Sequence, residues 1–203
     1  FIFSEVMFFA AFFGALFYVR MFAIPWLGGE GAKGVSALLW PDFVATWPLL
    51  NPPDSSIAGP EQVFSPWQLP LVNTLILITS SITLTVAHEA LKVGDRKTCR
   101  NWLTGTVLLG CCFIMIQGVE YYEAYAHYGI TLEAGIFGAT FFILTGFHGV
   151  HVIIGTLILA TMLVRIIKGH FGDENHFGFE ASCWYWHFVD VVWVGLFIFV
   201  YVL

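Results

Sequence analysis

Charge is what this sequence has least of. Only 11% of its 203 residues are Asp, Glu, Lys or Arg, where a soluble domain carries about 25%. That leaves too little polar surface to cover a globule in water. With 58% hydrophobic residues and a mean hydropathy of +0.80, the natural solvent for most of the chain is lipid. The formal net charge of −6 comes from acids scattered through loops and helices, not from a tail. No basic block and no basic–aromatic interleaving is present, which excludes nucleic acid as a partner. Cysteine is scarce as well: Cys99, Cys111, Cys112 and Cys183 form no C-x-x-C pair. The adjacent Cys111 and Cys112 point about 100° apart on a helix, as small core residues do, and they fix no redox compartment. There is no internal repeat, no low-complexity run and no linker, so a single domain over residues 1–203 is expected. The first apolar run has neither the basic n-region nor the small-residue cleavage site of a signal peptide. It reads as a helix met part-way into a chain.

What the sequence does have is long apolar runs. Crossing the hydrocarbon takes about 20 mostly apolar residues, and five stretches qualify: about 1–24, 66–91, 99–125, 134–167 and 180–203. The expected fold is therefore all-α, a polytopic transmembrane bundle of five helices. The fourth run is longer than a bilayer needs, which implies tilt or projection. Residues 25–65 hold Asn51-Pro52-Pro53-Asp54 and Gly59-Pro60, strong turn signals that make this a long interfacial loop. The other loops, Lys92–Lys97, His127–Glu133 and Gly169–Phe179, are short. Lys92, Arg96, Lys97 and Arg100 follow the second run, and Arg165 and Lys168 end the fourth. The third loop has no Lys or Arg, and the first region offers only Arg20 and Lys33. The positive-inside rule then places the short basic loops in the cytoplasm and the C-terminus outside.

Polar groups within the apolar runs are the candidate functional residues, because they are costly there. Glu5 lies about 22 Å from Arg20 along a helix rising about 1.5 Å per residue, in the inner half of the core. Two readings stand: a functional acid, or a protonated acid hydrogen-bonded to a neighbour such as Ser4. His148 and His151 are spaced i, i+3 on the fourth run, as are His187 and Asp190 on the fifth. Imidazoles can ligate haem or metal, but the depths of these histidines match poorly and Asp190 already offers His187 a partner. Polar pairs joining helix to helix are the alternative. Gln117, Glu120 and Glu123 share one face of the third run among Tyr121, Tyr122 and Tyr125, an interfacial aromatic belt. The two acids could line an ion path, or cap the helix and meet the long loop. Gly135, Gly138, Gly146, Gly149 and Gly155 on the fourth run allow close helix approach.

Several stretches in one order resemble a known family. Phe177-Gly178-Phe179-Glu180-Ala181 leading into Trp184-Tyr185-Trp186-His187-Phe188-Val189-Asp190-Val191-Val192-Trp193 resembles the last helix of cytochrome c oxidase subunit III. Thr145-Gly146-Phe147-His148-Gly149-Val150-His151 resembles the helix before it. Gln117-Gly118-Val119-Glu120-Tyr121-Tyr122-Glu123-Ala124, Gly94-Asp95-Arg96-Lys97 and Ser4-Glu5-Val6 with Phe8-Phe9 match in order and spacing. The likeness covers nearly all of the chain except parts of 26–65. It implies helices three to seven of a seven-helix subunit, although five-helix relatives exist among ubiquinol oxidases. The long Pro-rich loop resembles bacterial forms, so a bacterial inner membrane is expected.

The resemblance further implies an accessory subunit of a proton-pumping oxidase in aerobic electron transport, with no catalytic residue, cofactor-binding residue or metal ligand of its own. Haem and copper are expected in partner subunits I and II, and cytochrome c as electron donor to the complex, with a respiratory supercomplex as one setting. Assembly, bound phospholipid, proton uptake and turnover stability of subunit I are the implied roles. Glu5 matches the family's buried, carbodiimide-reactive acid. Arg165, Lys168 and His170 match its phospholipid contacts, where the residues alone also fit the positive-inside signal. His148, His151, His187, Asp190, Glu120 and Glu123 would be intramembrane packing groups.

Overall fold

The computed structural model describes residues 1–54, 56–171 and 176–203, with the side chains of 32–34 left aside. Lys33 as a topological charge and the middle of the Gly169–Phe179 loop therefore lie outside the described residues. Among the described residues five helices are long and apolar enough to cross a membrane: α1 (Ile2–Leu27), α2 (Leu69–Lys92), α3 (Arg96–His127), α4 (Gly135–Ile167) and α5 (Phe177–Val202). No strand occurs among the described residues. The protein is an all-α integral membrane protein.

The helix ends differ from the hydropathy reading by a few residues, for a local reason. Apolar runs see only the part of a helix that lies in hydrocarbon, whereas caps decide where it ends. Asp95 shows this at the start of α3. Its carbonyl accepts the Cys99 N–H at 3.0 Å and its Oδ1 accepts the Thr98 N–H at 3.1 Å. The helix therefore begins at Arg96, ahead of its apolar run. Gly94, at φ +78°, makes the left-handed turn that separates α2 from this cap. The hydrogen bonds from Thr98 hold the Asp95 carboxyl below the usual carboxylate range.

The chain divides into two compact units, residues 1–64 with 121–146, and residues 65–120 with 147–203. Helices α3 and α4 lend residues to both. In the first unit the long loop is fastened to helix ends by aromatic and backbone contacts. The Arg20 guanidinium sits 5.2 Å over the Trp47 ring, and Trp47 meets Phe137 edge-on at 5.6 Å. Phe64 stacks on Phe141 at 5.7 Å, and the Glu61 N–H donates to the Tyr128 carbonyl at 3.0 Å. A Cβ at Gly59 would fall 1.7 Å from the Leu50 carbonyl oxygen, so the Gly-Pro turn admits no side chain.

The second unit is organised around Trp186 of α5, whose indole is fully buried. Its Nε1–H donates to Ser80 Oγ of α2 at 3.0 Å, and the Ser80 hydroxyl donates on to the Leu77 carbonyl at 2.6 Å. The six-membered ring lies between two glycines. A Cβ at Gly110 of α3 would approach it to 2.9 Å, and one at Gly155 of α4 to 2.8 Å. One tryptophan thus joins α2, α3 and α4 to α5. Trp193 repeats the device two turns on, donating to Thr74 Oγ1 of α2 at 3.0 Å. The Thr83 and Thr106 hydroxyls share a hydrogen bond of 2.8 Å between α2 and α3.

Only part of the α4 glycine stripe serves close approach. Gly155 faces Trp186, and a Cβ at Gly149 would lie 3.0 Å from the Gln117 amide oxygen. A Cβ at Gly146 would meet the Tyr121 hydroxyl at 3.4 Å, an easier contact. Gly135 and Gly138 instead shape the helix start. Gly135 has φ +64°, and a Cβ at Gly138 would lie 2.1 Å from the Thr131 carbonyl oxygen of the entering turn.

Candidate functional site: polar groups within the membrane

The histidines of α4 are each committed to a backbone carbonyl. His148 is fully buried, and its Nε2–H must be the donor to the Val189 carbonyl of α5 at 3.2 Å, since a carbonyl cannot donate. Its ring packs on Trp193 at 5.0 Å and Phe113 at 5.7 Å between centroids. His151 donates through Nδ1 to the Phe147 carbonyl one turn earlier at 2.7 Å, and stacks on Tyr185. The two therefore use different nitrogens and different neighbours, and they do not converge on a common point.

His187 and Asp190 form a third arrangement, at the contact of α5 with α2. His187 Nδ1 lies 2.7 Å from Ser81 Oγ and 3.7 Å from the Asp190 carboxylate. This is not a nucleophilic triad, because serine and aspartate both lie on the same ring nitrogen, whereas a triad histidine uses one nitrogen for each. Ser81 carried no sequence signal, since its spacing to His187 is 106 residues.

Among the described residues no group of three or more His, Cys, Asp or Glu could hold a metal ion. His148, His151 and His187 sit apart and each holds a partner within the protein, so these three do not form a haem or copper ligand set. His88 of α2 lies with its ring 6.0 Å from that of His176. No redox step is assigned to this chain.

The acids are dispersed. Glu120 is fully buried within the second unit and Glu123 is half-buried in the first. Close to Glu123, Tyr121 shares a 2.8 Å hydrogen bond with Thr145, while Tyr122 and Tyr125 are exposed as a lipid-interface belt would be. Glu5, on α1, is half-buried, and the neighbouring Ser4 hydroxyl donates to the Phe1 carbonyl at 2.6 Å, not to the carboxyl. The cations at the end of α4 also differ among themselves. Lys168 and His170 are exposed, whereas Arg165 is half-buried with its guanidinium 4.4 Å above the Phe171 ring. Arg96 joins this end from α3 by donating through Nη2 to the Phe171 carbonyl. Gly169, at φ +75°, leaves room for it, since a Cβ there would meet Arg96 Nη1 at 3.1 Å. Charge alone grouped Arg96 with the basic end of α4 but could not pair it with a loop 75 residues away.

A family described as cytochrome c oxidase subunit III matches residues 45–203. The chain belongs to the cytochrome c oxidase subunit III family. Relatives agree over nearly its whole length. It is 43% identical over 201 residues to cytochrome c oxidase subunit 3 of Gadus morhua and 44% identical over 201 residues to that of Salmo salar. Each match covers 99% of this chain and 66% of the relative, so the chain spans just under two thirds of the length of these curated relatives. The aromatic, glycine and histidine contacts of the second unit all lie inside the matched region, which makes them the packing frame of a subunit III fold.

Proposed function

We propose that this chain is an accessory subunit of a proton-pumping cytochrome c oxidase, free of redox centres itself, that supports the assembly, bound lipid, proton uptake and turnover stability of the haem–copper subunit. The observation that carries the reading is the match to subunit III relatives over 99% of the chain. The placement of His148, His151 and His187 agrees with it, since each holds a partner within the chain. In this reading haem and copper reside in subunits I and II, and cytochrome c supplies electrons to the complex, alone or within a supercomplex. The setting is a bacterial inner membrane, with the basic 92–100 and 165–170 segments cytoplasmic and the C-terminus outside, supported by the placement of Lys and Arg. Glu5, half-buried on α1, is the carbodiimide-reactive acid in this reading. Arg165, Lys168 and His170, with Arg96 beside them, draw anionic phospholipid headgroups.

The test is purification of the tagged chain from its own membranes. Co-purification with haem-bearing large subunits and cytochrome c-driven oxygen uptake is expected. Deleting the chain should leave some oxygen reduction that decays over repeated turnovers. A stoichiometric Soret band in the isolated chain, or purification free of any haem protein, would overturn the proposal.

A further inference from the structure

We propose that His88 of α2 and His176 at the entry of α5 bind one divalent transition-metal ion of the zinc class, which fastens the end of one helix to the start of the other. Both residues lie in the second compact unit. The site is built from this chain's own side chains and stands or falls apart from the oxidase reading.

Two buried nitrogens carry the proposal. His88 Nε2 and His176 Nδ1 are each closed off from solvent and make no hydrogen bond among the described residues. Such atoms are few in folded proteins, because each gives up its hydration for nothing. They belong to neighbouring rings, whose centres lie 6.0 Å apart. The other nitrogen of each ring, His88 Nδ1 or His176 Nε2, is not closed off in this way. A neutral imidazole carries one proton, and that proton is held best on the open nitrogen. A lone pair is then left on each buried nitrogen. Two acceptors cannot bond to each other, so an electrophile between them is what joins them.

The spacing suits a metal ion. Zinc sits about 2.0–2.1 Å from an imidazole nitrogen, so two rings on one ion have centres about 5.2 Å apart at the tetrahedral angle and about 6.4 Å apart in line. The observed 6.0 Å falls between these limits, and the rings draw in by about 0.8 Å to reach the tetrahedral arrangement. Their planes are inclined at 69°, so the rings do not stack on each other. Phe179, fully buried, packs on the His88 ring at 5.7 Å and limits its freedom to turn away. No third His, Cys, Asp or Glu joins the pair among the described residues. Water therefore completes the coordination, and the affinity is that of a two-imidazole chelate and not of a closed structural site.

Charge and depth agree with a cation. Lys92, Glu180 and Glu89 all act electrostatically on His88. Lys92 and Glu89 pair with each other at 2.8 Å and offset one another. The end of α2 and the start of α5 present opposite partial charges, which leaves the Glu180 carboxylate to set the sign. His88 lies four residues before Lys92, about 6 Å from the end of α2, and His176 caps α5. An ion can reach this border from water without crossing hydrocarbon. Imidazole nitrogens favour zinc and its neighbours over magnesium and calcium, which take oxygen ligands. Zinc undergoes no redox change, so the site adds no electron-transfer step to the chain.

The experiment uses the intact complex in detergent, purified through a tag without histidine and treated with a chelator to remove loose metal. Zinc chloride is the probe. In the unaltered protein, zinc should protect His88 and His176 together from diethylpyrocarbonate, read by mass spectrometry. His127, exposed at the end of α3, should label as before, and magnesium chloride should protect neither member of the pair. His88→Gln and His176→Gln should each weaken zinc binding by more than the about 100-fold that loss of an outer-shell partner costs, and Glu180→Gln by about tenfold. The footprint on the unaltered protein decides the matter even where a variant fails to assemble. No protection by zinc, protection of only one of the two, equal protection by magnesium, or unchanged affinity in either histidine variant would overturn the site.

Discussion

A single methyl group at Gly155 tests whether the slot around Trp186 holds α2, α3, α4 and α5 together. In Gly155→Ala the new Cβ would lie 2.8 Å from Trp186 Cε3 and 3.0 Å from Cζ3. Carbon atoms settle at about 3.5–4.0 Å, so the indole would have to retreat by about 0.7 Å. The Nε1–H bond to Ser80 at 3.0 Å tethers the ring against that retreat. Overpacking of this kind costs about 1–3 kcal/mol. It is opposed by the helix preference of alanine over glycine, about 1 kcal/mol. Gly105→Ala measures that opposing term alone, since nothing lies within 4 Å of a Cβ there. The two variants should therefore differ by about 1–3 kcal/mol in reversible SDS titration of the detergent-solubilised chain. Gly149→Ala should fall between them, because its contact is the end of the flexible Gln117 side chain at 3.0 Å. Trp186→Phe removes the outer ring atoms, so adding Gly155→Ala to that background should cost much less than in the parent chain. A Gly155→Ala variant as stable as Gly105→Ala would refute the reasoning.

Glu5→Gln keeps shape and hydrogen-bonding capacity while removing the acid, so carbodiimide labelling of this chain should vanish while assembly and most oxygen uptake persist. Collapse of turnover in an assembled complex would instead make Glu5 an obligatory proton carrier. Arg165→Ala with Lys168→Ala should lower tightly bound anionic phospholipid, read by mass spectrometry of the purified complex, at about 1 kcal/mol per basic residue. Arg165→Lys alone should retain part of that lipid but loosen the Phe171 loop, because an ammonium does not stack on a ring as a guanidinium does. The Asp95 carboxyl titrates below its ordinary 3.8 because Thr98 hydrogen-bonds to it. Its contribution to stability is thus present above the ordinary value and lost as pH falls through the folded one. Asp95→Asn should abolish this acid-dependent step, measured as amide exchange at Thr98 between neutral pH and about pH 3.

Hydropathy placed all five membrane helices because solvation by lipid is nearly additive over residues, and an apolar run reports it without knowing its neighbours. Motif order carried the family, since Trp184 to Trp193 and Gln117 to Ala124 are contiguous strings. Helix ends were less legible. The start of α3 depends on Asp95 and Thr98, a cap that no hydropathy window weighs. The histidine spacing on α4 and α5 was visible, but not that His148 would donate to Val189, nor that His187 would find Ser81. The glycine stripe was visible too, yet only the packed structure separates Gly155, which makes room for Trp186, from Gly135, which makes a left-handed turn. These contacts join residues 31 to 119 positions apart, as Trp186 meets Gly155 and Trp193 meets Thr74. Local composition fixes which segments enter the membrane, one helix at a time. Partner choice depends on the depth and rotation of one helix against another. Those are properties of the assembled bundle, so only the tertiary structure decides which polar atoms find partners inside the chain.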